Sequence, residues 1–259
     1  MQVLKLGGSV VTFKDQSMSP NLEAIRRLSE EIVRSSPRNL VVVHGGGSYG
    51  HPLAKEYEIA KGYSNQKQKL GFSRTHQAMI KLNMLIVDAF LDSGVPAISM
   101  APSSFIETSG SRIEKVNFSL IENLTQFGMV PVLYGDAVLD DQQRFSILSG
   151  DQLAVRLAID LKAEKIIFGV DVDGVFTSNP KLTSKSHLIP NLSLTQMKGF
   201  VKIGEALNID VTGGMLGKIK EAERAVELGI SVFLINALKQ GVLQRALLGE
   251  VVTGTWLSR

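Results

Sequence analysis

The chain has 259 residues, 44% of them hydrophobic and none of them cysteine, so it can bury a substantial core but forms no disulfide, thiolate metal site or cysteine nucleophile. Its net charge is only +3 and its lysines and arginines are scattered, so nucleic acid is not an expected partner. The N-terminus lacks a signal-peptide pattern and no apolar run reaches the roughly 18 residues that span a membrane, so a soluble, cytoplasmic protein is expected.

Short apolar runs alternate along the chain with helical patterns. Runs of this length are typical of strands that are buried on both faces of a parallel sheet. The runs are VLKLGG (3–8), LVVVHG (40–45), VPAISM (95–100), MVPVLYG (129–135), KIIFGVD (165–171) and SVFLINA (231–237). Together with the helices between them, they predict an α/β sandwich with a mainly parallel central sheet.

Three helices and one hairpin are the clearest of the remaining elements. The first helix is predicted to have Ser19 as its N-cap and Pro20 at its first helical position. A second helix runs from about residue 73 to residue 90, a third ends at Gly229, and two strands around a polar turn fit residues 136–148. The apolar faces of the first and third helices consist of Leu22, Ile25, Leu28 and Ile32, and of Met215, Ile219, Ala222 and Val226.

The stretch VVVHGGGSYGH at residues 41–51 matches the patterns of two common motifs. Neither motif is accepted, because the other residues that each one requires are missing or misplaced. Its glycines satisfy the dinucleotide fingerprint, but no Asp or Glu occurs from Ile59 to Val87 to hold a ribose. Its GGSYG segment satisfies the hydrolase nucleophile elbow, but the HGGG oxyanion motif would lie in the same loop, where Ser48 cannot face it. What remains is a loop between a strand and a helix whose backbone N–H groups can approach an anion closely.

Four other segments carry residues suited to binding anions. Lys5 stands in the apolar LKLGGSV run, and Lys14 follows in a polar stretch. The segment VDVDGVFTSNP (170–180) has two aspartates after a buried strand, but it lacks the spaced ligands and terminal glutamate of an EF-hand. The segment DVTGGMLGKIK (210–220) is not a Walker A loop, because Thr212 replaces the first glycine and neither Ser nor Thr follows the lysine.

Taken together and in order, these segments resemble the amino acid kinase family. The matching motifs are K-x-G-G-S at 5–9, the glycine loop at 44–50, D-x-D-G-[VI]-[FY] at 171–176 and T-G-G-M-x-x-K at 212–218. The resemblance implies a compact three-layer α/β/α sandwich, in which residues 1–148 bind the phosphoryl acceptor and residues 149–259 bind ATP with Mg²⁺. It also implies an oligomer, most simply a homodimer.

Within that family, the segments HGGGSYGHP (44–52) and SGDQLA (149–154) resemble those of the isopentenyl phosphate kinases. In those enzymes the histidine corresponding to His51 binds the substrate's phosphate, and a phosphate oxygen accepts the γ-phosphoryl group of ATP. The resemblance therefore implies formation of isopentenyl diphosphate and ADP, in the alternative mevalonate pathway of isoprenoid biosynthesis. Fosfomycin kinases, which share this histidine, are the main alternative. UMP kinases, acetylglutamate-type kinases and a binding protein without turnover are further alternatives.

The resemblance also implies a role for each motif residue. Lys5 and Lys218 would neutralise the γ- and β-phosphates, and Lys14 would stabilise the transferring group in the transition state. Asp151 would orient Lys5 and Lys218 by ion pairing. The substrate's phosphate is expected to contact Gly46, His51 and Gly150. ATP is expected to contact Lys5, Leu6, Gly7, Gly8, Ser9, Gly47, Asp171, Asp173, Gly174, Val175, Phe176, Thr177, Gly214 and Lys218, and Mg²⁺ is expected to be held by ATP rather than by protein side chains.

A prenyl tail requires an apolar pocket with almost no polar groups. The expected lining consists of Phe72, Thr75, Met79, Asn83 and Ile86 on one helix, together with Val132 and Ile147. A substrate that carries an acid would need a matching cation, and Arg74 is the obvious candidate on that helix. The apolar character of the other positions favours an apolar tail.

Overall fold

The computed structural model describes residues 1–178, 180, 185–206 and 214–259, without the side chains of 202–206. Asn179, Thr212 and Gly213, which belong to two of the quoted segments, lie outside the described residues. The strands are β1 (Gln2–Leu6), β2 (Leu40–His44), β3 (Ala97–Ser99), β4 (Glu107–Ser109), β5 (Arg112–Lys115), β6 (Val130–Tyr134), β7 (Asp136–Asp140), β8 (Arg144–Leu148), β9 (Lys165–Val170), β10 (Val175–Phe176), β11 (Leu188–Ile189), β12 (Asn191–Ser193), β13 (Ser231–Asn236) and β14 (Gly254–Ser258). The helices are α1 (Gly8–Val11), α2 (Leu22–Ser35), α3 (Gly47–Glu56), α4 (Lys67–Asp92), α5 (Ser119–Gln126), α6 (Gly150–Asp160), α7 (Leu194–Ala206), α8 (Met215–Glu227) and α9 (Val242–Leu248). In the described part of the chain, none of these helices combines the length and the hydropathy that a membrane span requires.

An eight-stranded sheet organises the molecule, in the order β12-β14-β13-β9-β1-β2-β6-β3. All neighbouring strands in it are parallel except β13 and β14. The strands from residues 1–148 and those from residues 149–259 occupy opposite halves, and β1 and β9 meet in the middle. The carboxyl ends of the central strands are level, since Leu6 pairs with both His44 and Gly169. In open α/β sheets this edge is where ligands bind.

Two hydrophobic cores lie on opposite faces of this sheet, because successive residues of a strand point to opposite sides. In β1, Val3 belongs to the core that also contains residues of α6 and α8. Leu4, its neighbour, belongs to the core that contains residues of α2, α4 and α9. Helices therefore cover both faces, and the predicted three-layer α/β/α sandwich with a mainly parallel sheet is confirmed.

A second, four-stranded sheet in the order β5-β4-β7-β8 contains the predicted hairpin at residues 136–148. The strands β4 and β5 were not predicted, because each has only three or four residues and β5 is largely charged. Asp140, the last residue of β7, connects the hairpin to β4 and to the turn after β4. Its carboxylate accepts hydrogen bonds from the Thr108 hydroxyl at 2.9 Å and from the Ser111 amide at 2.7 Å.

The beginnings of two helices differ from the prediction. Helix α2 begins at Leu22, and its N-cap is Asn21, whose side chain accepts a hydrogen bond from the Ala24 amide at 3.2 Å. The predicted N-cap at Ser19 is wrong because Pro20 forms a β-bridge with Thr12 instead. Helix α4 begins at Lys67, earlier than the predicted start at about residue 73. The prediction missed its first turns because they are mostly polar and carry no apolar periodicity.

Candidate functional site

A cavity of about 620 Å³ opens at the carboxyl ends of the central strands. Its wall is built from the loops that follow β1, β2, β6, β8 and β9, together with the first turn of α8 and one face of α4. The predicted residues that line it are Lys5, Gly7, Gly8, Ser9, Lys14, Gly46, Gly47, His51, Thr75, Met79, Ile147, Gly150, Asp151, Asp171, Gly214 and Lys218. Segments from both halves of the chain therefore meet at one place.

Three charged side chains meet at the base of the cavity. Asp151 forms ion pairs with Lys5 at 2.6 Å and with Lys218 at 3.2 Å, through different carboxylate oxygens. Lys5 reaches this position because β1 is a central strand and residue 5 points to the same face as Val3, which α6 and α8 cover. Asp151 lies in the first turn of α6, where its amide donates to the Ser149 hydroxyl at 3.1 Å.

The electrostatics of this cluster favour an incoming anion. Burial lowers the pKa of Lys5, and the neighbouring Lys218 lowers it further, while Asp151 opposes both effects. Burial would raise the pKa of Asp151, but the two lysines outweigh it and hold that pKa below its usual value. The cluster brings two ammonium groups to one carboxylate, so an additional negative charge completes its neutralisation.

Two glycine turns pack against each other at the top of the lysine cluster and form what we call the glycine cradle, Gly7–Gly8 and Gly45–Gly47. A Cβ atom on Gly8 would lie 2.4 Å from the Gly47 nitrogen, and Gly47 itself has a φ of +46°. The two turns are also tied to the sheet, because the Gly45 amide donates to the Leu6 carbonyl at 2.9 Å. Only glycines allow two backbone segments to approach so closely at the N-termini of α1 and α3.

The two histidines of the glycine-rich stretch have different environments. His44 is fully buried, with its Nδ1 at 3.1 Å from the Gly45 carbonyl and its Nε2 at 3.1 Å from the Asn83 amide. Burial lowers the pKa of His44 to about 4, so it is a neutral structural residue. His51 lies in α3 with its side chain accessible in the open cavity. Incomplete hydration there, together with Lys5 and Lys218, lowers the pKa of His51.

Lys14 and Asp171 approach the cavity from the two halves of the sheet. They form an ion pair at 3.5 Å, in which the lysine side chain is 58% exposed. Lys14 follows α1, and Asp171 follows β9, so the pair spans the loops after two neighbouring central strands. The exposed ammonium is held only loosely and remains free to turn toward a bound anion.

Residues 173–177, which follow Asp171, do not line the cavity. Asp173 pairs with Lys239 at 2.7 Å and accepts a hydrogen bond from Asn236 at 3.0 Å. These contacts outweigh burial and lower the pKa of Asp173. Gly174 lies against Thr255, since a Cβ atom there would be 2.4 Å from its hydroxyl. The remaining residues predicted to contact ATP but outside the cavity wall are Leu6, Val175, Phe176 and Thr177.

Comparison with known proteins places this geometry in a family. The model of the amino acid kinase family matches residues 1–236. The chain belongs to the amino acid kinase family. It is 44% identical to the isopentenyl phosphate kinase of Methanothermobacter thermautotrophicus over 98% of both chains, and 34% identical to that of Methanocaldococcus jannaschii over 97% of this chain and 96% of the other. A solved structure of an isopentenyl phosphate kinase, 40% identical, superimposes over 99% of both chains with a TM-score of 0.88.

In this member of the amino acid kinase family, only part of the predicted apolar lining reaches the cavity. Thr75, Met79 and Ile147 line it. The others lie elsewhere: Phe72 packs on Phe145 with ring centroids 5.6 Å apart, Asn83 donates to the Val132 carbonyl at 3.3 Å, and Ile86 and Val132 are fully buried in the core. Helix α4 turns one face to the cavity and the next to the sheet, so positions 82, 83 and 86 serve packing.

Two further features of α4 concern its contacts around the cavity. The sulfur of Met79 lies beside the glycine-rich loop at 45–50, since Cβ atoms on Gly46 and Gly50 would lie 3.1 and 2.8 Å from it. Arg74, the alternative cation, donates to the Tyr57 hydroxyl at 2.5 Å and does not line the cavity. The helix therefore presents no arginine to a substrate carboxylate at this place.

Sequence reasoning missed one buried carboxylate in the cavity wall. Asp136 is 1% exposed and lies 2.9 Å from the Nδ1 of His76 on α4. Burial raises the pKa of Asp136 although His76 opposes this, and the hydrogen bond to Asp136 raises the pKa of His76. Neither residue belongs to a recognised motif, and the one available signal was a histidine on the helix chosen for an apolar pocket. Among the described residues, no three His, Cys, Asp or Glu side chains gather into a metal site.

Proposed function

We propose that this chain transfers the γ-phosphoryl group of ATP to the phosphate of isopentenyl phosphate, giving isopentenyl diphosphate and ADP. The observation that carries the proposal is one cavity that joins a lysine cluster and a glycine cradle to His51 and to the apolar side chains of Met79 and Ile147. Relatives that share 44% and 34% of its residues over nearly the full length are isopentenyl phosphate kinases. We call the lysine cluster, the cradle and His51 the phosphate end, and the wall of Thr75, Met79, Asp136 and Ile147 the tail end.

The chemistry assigned to the phosphate end is positioning and neutralisation of charge. A phosphate monoester already presents an anionic oxygen near neutral pH, so the reaction needs no general base. The obstacle is the repulsion between two polyanions, and Lys5 and Lys218, which line the cavity, would neutralise the γ- and β-phosphates. Asp151 would hold both ammonium groups in place, and Lys14 would turn from Asp171 to the transferring group.

The glycine cradle fits the phosphates of ATP. Its backbone amides lie at two helix N-termini, and the close contact of Gly8 with Gly47 leaves no room for a side chain between the amides and an anion. Gly214, at the start of α8, would approach the phosphates from the other side, and Asp171 would lie beside the nucleoside. For residues 173–177, which lie outside the cavity wall, contact with the nucleoside stays a prediction. Mg²⁺ bound to ATP would neutralise part of the phosphate charge.

The acceptor is proposed to bind in the part of the cavity formed by residues 1–148. His51 would donate to its phosphate together with the amides of Gly46 and Gly150. Met79 and Ile147 would contact its hydrocarbon tail. The division into an acceptor half and an ATP half is supported by the sheet, whose two halves come from these two parts of the chain. The homodimer and the cytoplasmic location stay predictions.

The test is ADP release from Mg²⁺-ATP with isopentenyl phosphate, with fosfomycin, UMP and acetylglutamate run alongside. Turnover of isopentenyl phosphate, with little on the others, is the expected result. His51→Ala should lower kcat/KM for isopentenyl phosphate by about 10²-fold, since it removes a charge-assisted hydrogen bond. His187→Ala, which truncates an exposed histidine outside the cavity wall, is the matched control and should retain wild-type turnover. Fosfomycin turnover without isopentenyl phosphate turnover would overturn the proposal.

A further inference from the structure

The tail end of the cavity is less apolar than a hydrocarbon tail alone requires. Two polar side chains, Thr75 and Asp136, line it, and they are only 2% and 1% exposed. Buried polar groups are normally paired, because an unpaired one gives up its hydration without compensation. For each of the two side chains, the hydrogen-bond partners within the protein therefore have to be identified first.

Thr75 carries the clearer signal. Its hydroxyl is buried and has no hydrogen-bond partner among the described residues. A threonine inside a helix usually returns its hydroxyl to the carbonyl one turn earlier, and this one does not. Valine has the same shape and would suit an isoprenoid tail better. The hydroxyl is thus an unpaired donor on a residue that lines the cavity.

Asp136 is held next to the same turn of α4. His76, the residue after Thr75, lies 2.9 Å from one Asp136 oxygen and 3.1 Å from the other, and the Ala137 amide donates to the carboxylate at 2.9 Å. The Ser103 side chain also donates a hydrogen bond to the carboxylate. A carboxylate has about four acceptor positions, so these three donors leave about one for a ligand in the cavity that Asp136 lines. The pairing with His76 also fixes the carboxylate in position.

We propose that the tail end binds a hydroxyl group on the acceptor. The Thr75 hydroxyl donates a hydrogen bond to the oxygen of that group, and the Asp136 carboxylate accepts a hydrogen bond from its O–H. A hydroxyl is the group that matches one donor and one acceptor together. The acceptors of this kinase then include hydroxylated short-chain alkyl phosphates besides isopentenyl phosphate. This inference rests on the proposed function, since it uses the same phosphate end.

The reaction of such an acceptor is the same phosphoryl transfer. An oxygen of the alkyl phosphate forms a bond to the γ-phosphorus of ATP, and the bond from that phosphorus to the β–γ bridging oxygen breaks. ADP leaves with the electron pair, and the tail hydroxyl stays chemically unchanged. Thr75 and Asp136 act on selectivity alone.

The experiment compares kcat/KM for isopentenyl phosphate with that for 3-hydroxy-3-methylbutyl phosphate, which has the same carbon skeleton with a hydroxyl on it. We expect wild-type enzyme to phosphorylate both. Thr75→Val should lower kcat/KM for the hydroxylated ester about tenfold and raise that for isopentenyl phosphate. Thr75→Ser keeps the hydroxyl and should keep the wild-type ratio. Thr125→Val makes the same change at a buried threonine of α5 bonded to the Glu122 carbonyl, and should also keep it.

Three outcomes would overturn the inference. One is wild-type turnover of isopentenyl phosphate without turnover of the hydroxylated ester. Another is a Thr75→Val variant that loses the same factor on both esters, which would mean that Thr75 serves the common phosphate or the fold. The third is turnover of neither ester, which sinks the proposed function as well. Turnover of the hydroxylated ester alone would uphold the hydroxyl site and overturn isopentenyl phosphate as substrate.

Discussion

The two ends of the cavity are built in different ways. The phosphate end is made of backbone amides and of charges paired with each other, and its glycines leave almost no room for change. The tail end is made of side chains from α4, β7 and β8, which meet only because the second sheet packs beside that helix. The first end is suited to one chemical task, whereas the second can be altered one side chain at a time. Substitutions at the phosphate end should therefore act on turnover, and those at the tail end on substrate preference.

The strongest test of this difference is Asp151→Asn. It leaves Lys5 and Lys218 near each other without their shared counter-charge, so the ammonium groups lose their positions. We expect kcat to fall on the order of 10³-fold. Asp160→Asn, which alters the Arg156 ion pair at the other end of the same helix, is the control and should stay near wild type. Equal losses in both variants would show that the effect is one of helix stability.

A second substitution tests the close packing of the glycine cradle. Gly8→Ala places a methyl group 2.4 Å from the Gly47 nitrogen, so the two turns must separate. We expect kcat/KM to fall about 10²-fold, because misplaced groups cost that much even far from the chemistry. Gly199→Ala in α7, where a Cβ atom meets nothing within 4 Å, should leave activity intact and stabilise the fold by about 0.5–1 kcal/mol in urea titrations. Full activity of Gly8→Ala would show that the cradle does not hold the phosphates.

At the tail end, Ile147→Ala should have a smaller and different effect. It would remove the proposed apolar contact with the substrate tail and leave the lysines and glycines of the phosphate end unchanged. We expect KM for isopentenyl phosphate to rise about tenfold with kcat nearly unchanged. Leu139→Ala, at an exposed position of the neighbouring β7, is the matched control for steady-state kinetics. A drop in kcat with constant KM would contradict the separation of the two ends.

The smallest effect concerns the protonation of His51. Burial, together with Lys5 and Lys218, lowers the pKa of His51, and a bound phosphate dianion would raise it. Binding is then strengthened below the pKa of the free enzyme, and this gain is lost as pH rises through the pKa of the complex. The ratio of kcat/KM between wild type and His51→Gln should fall about fivefold from roughly pH 6 to pH 8. Because both enzymes share the titration of the substrate, a flat ratio would mean that imidazole acts only as a neutral donor.

The phosphate end could be predicted from the sequence because its parts are short contiguous motifs at the ends of buried strands. Lys5, Gly8, Gly46 and Asp151 reach the cavity for that reason. Lys218, which also lines the cavity, lies in α8 and could be predicted from its motif alone. Even the ion pairs of Asp151 follow from the family resemblance. The position of residues 173–174 could not be predicted, since it depends on Lys239 and Thr255 from distant parts of the chain.

The tail end was harder to predict, because helical spacing alone does not say which face of α4 meets a ligand. Thr75 and Met79 face the cavity, while Asn83 and Ile86, one and two turns later, are fully buried against the sheet. Asp136 belongs to no motif, because its position in the wall depends on contact with His76, sixty residues away in the chain. The short strand β4 was missed for a similar reason, since Asp140, from a distant strand, holds Thr108 of β4 and Ser111 in the turn that follows it.

The position of Met79 has a consequence for how such an enzyme can evolve. Its sulfur fills the space that a side chain on Gly46 or Gly50 would need, so one residue supports the loop that carries His51 while also bounding the tail. Replacing Met79 by a smaller residue to admit a bulkier acceptor would at the same time remove the packing contacts that support that loop. New acceptor preferences along this wall should therefore arise as paired substitutions, in which the loop gains volume where the helix loses it.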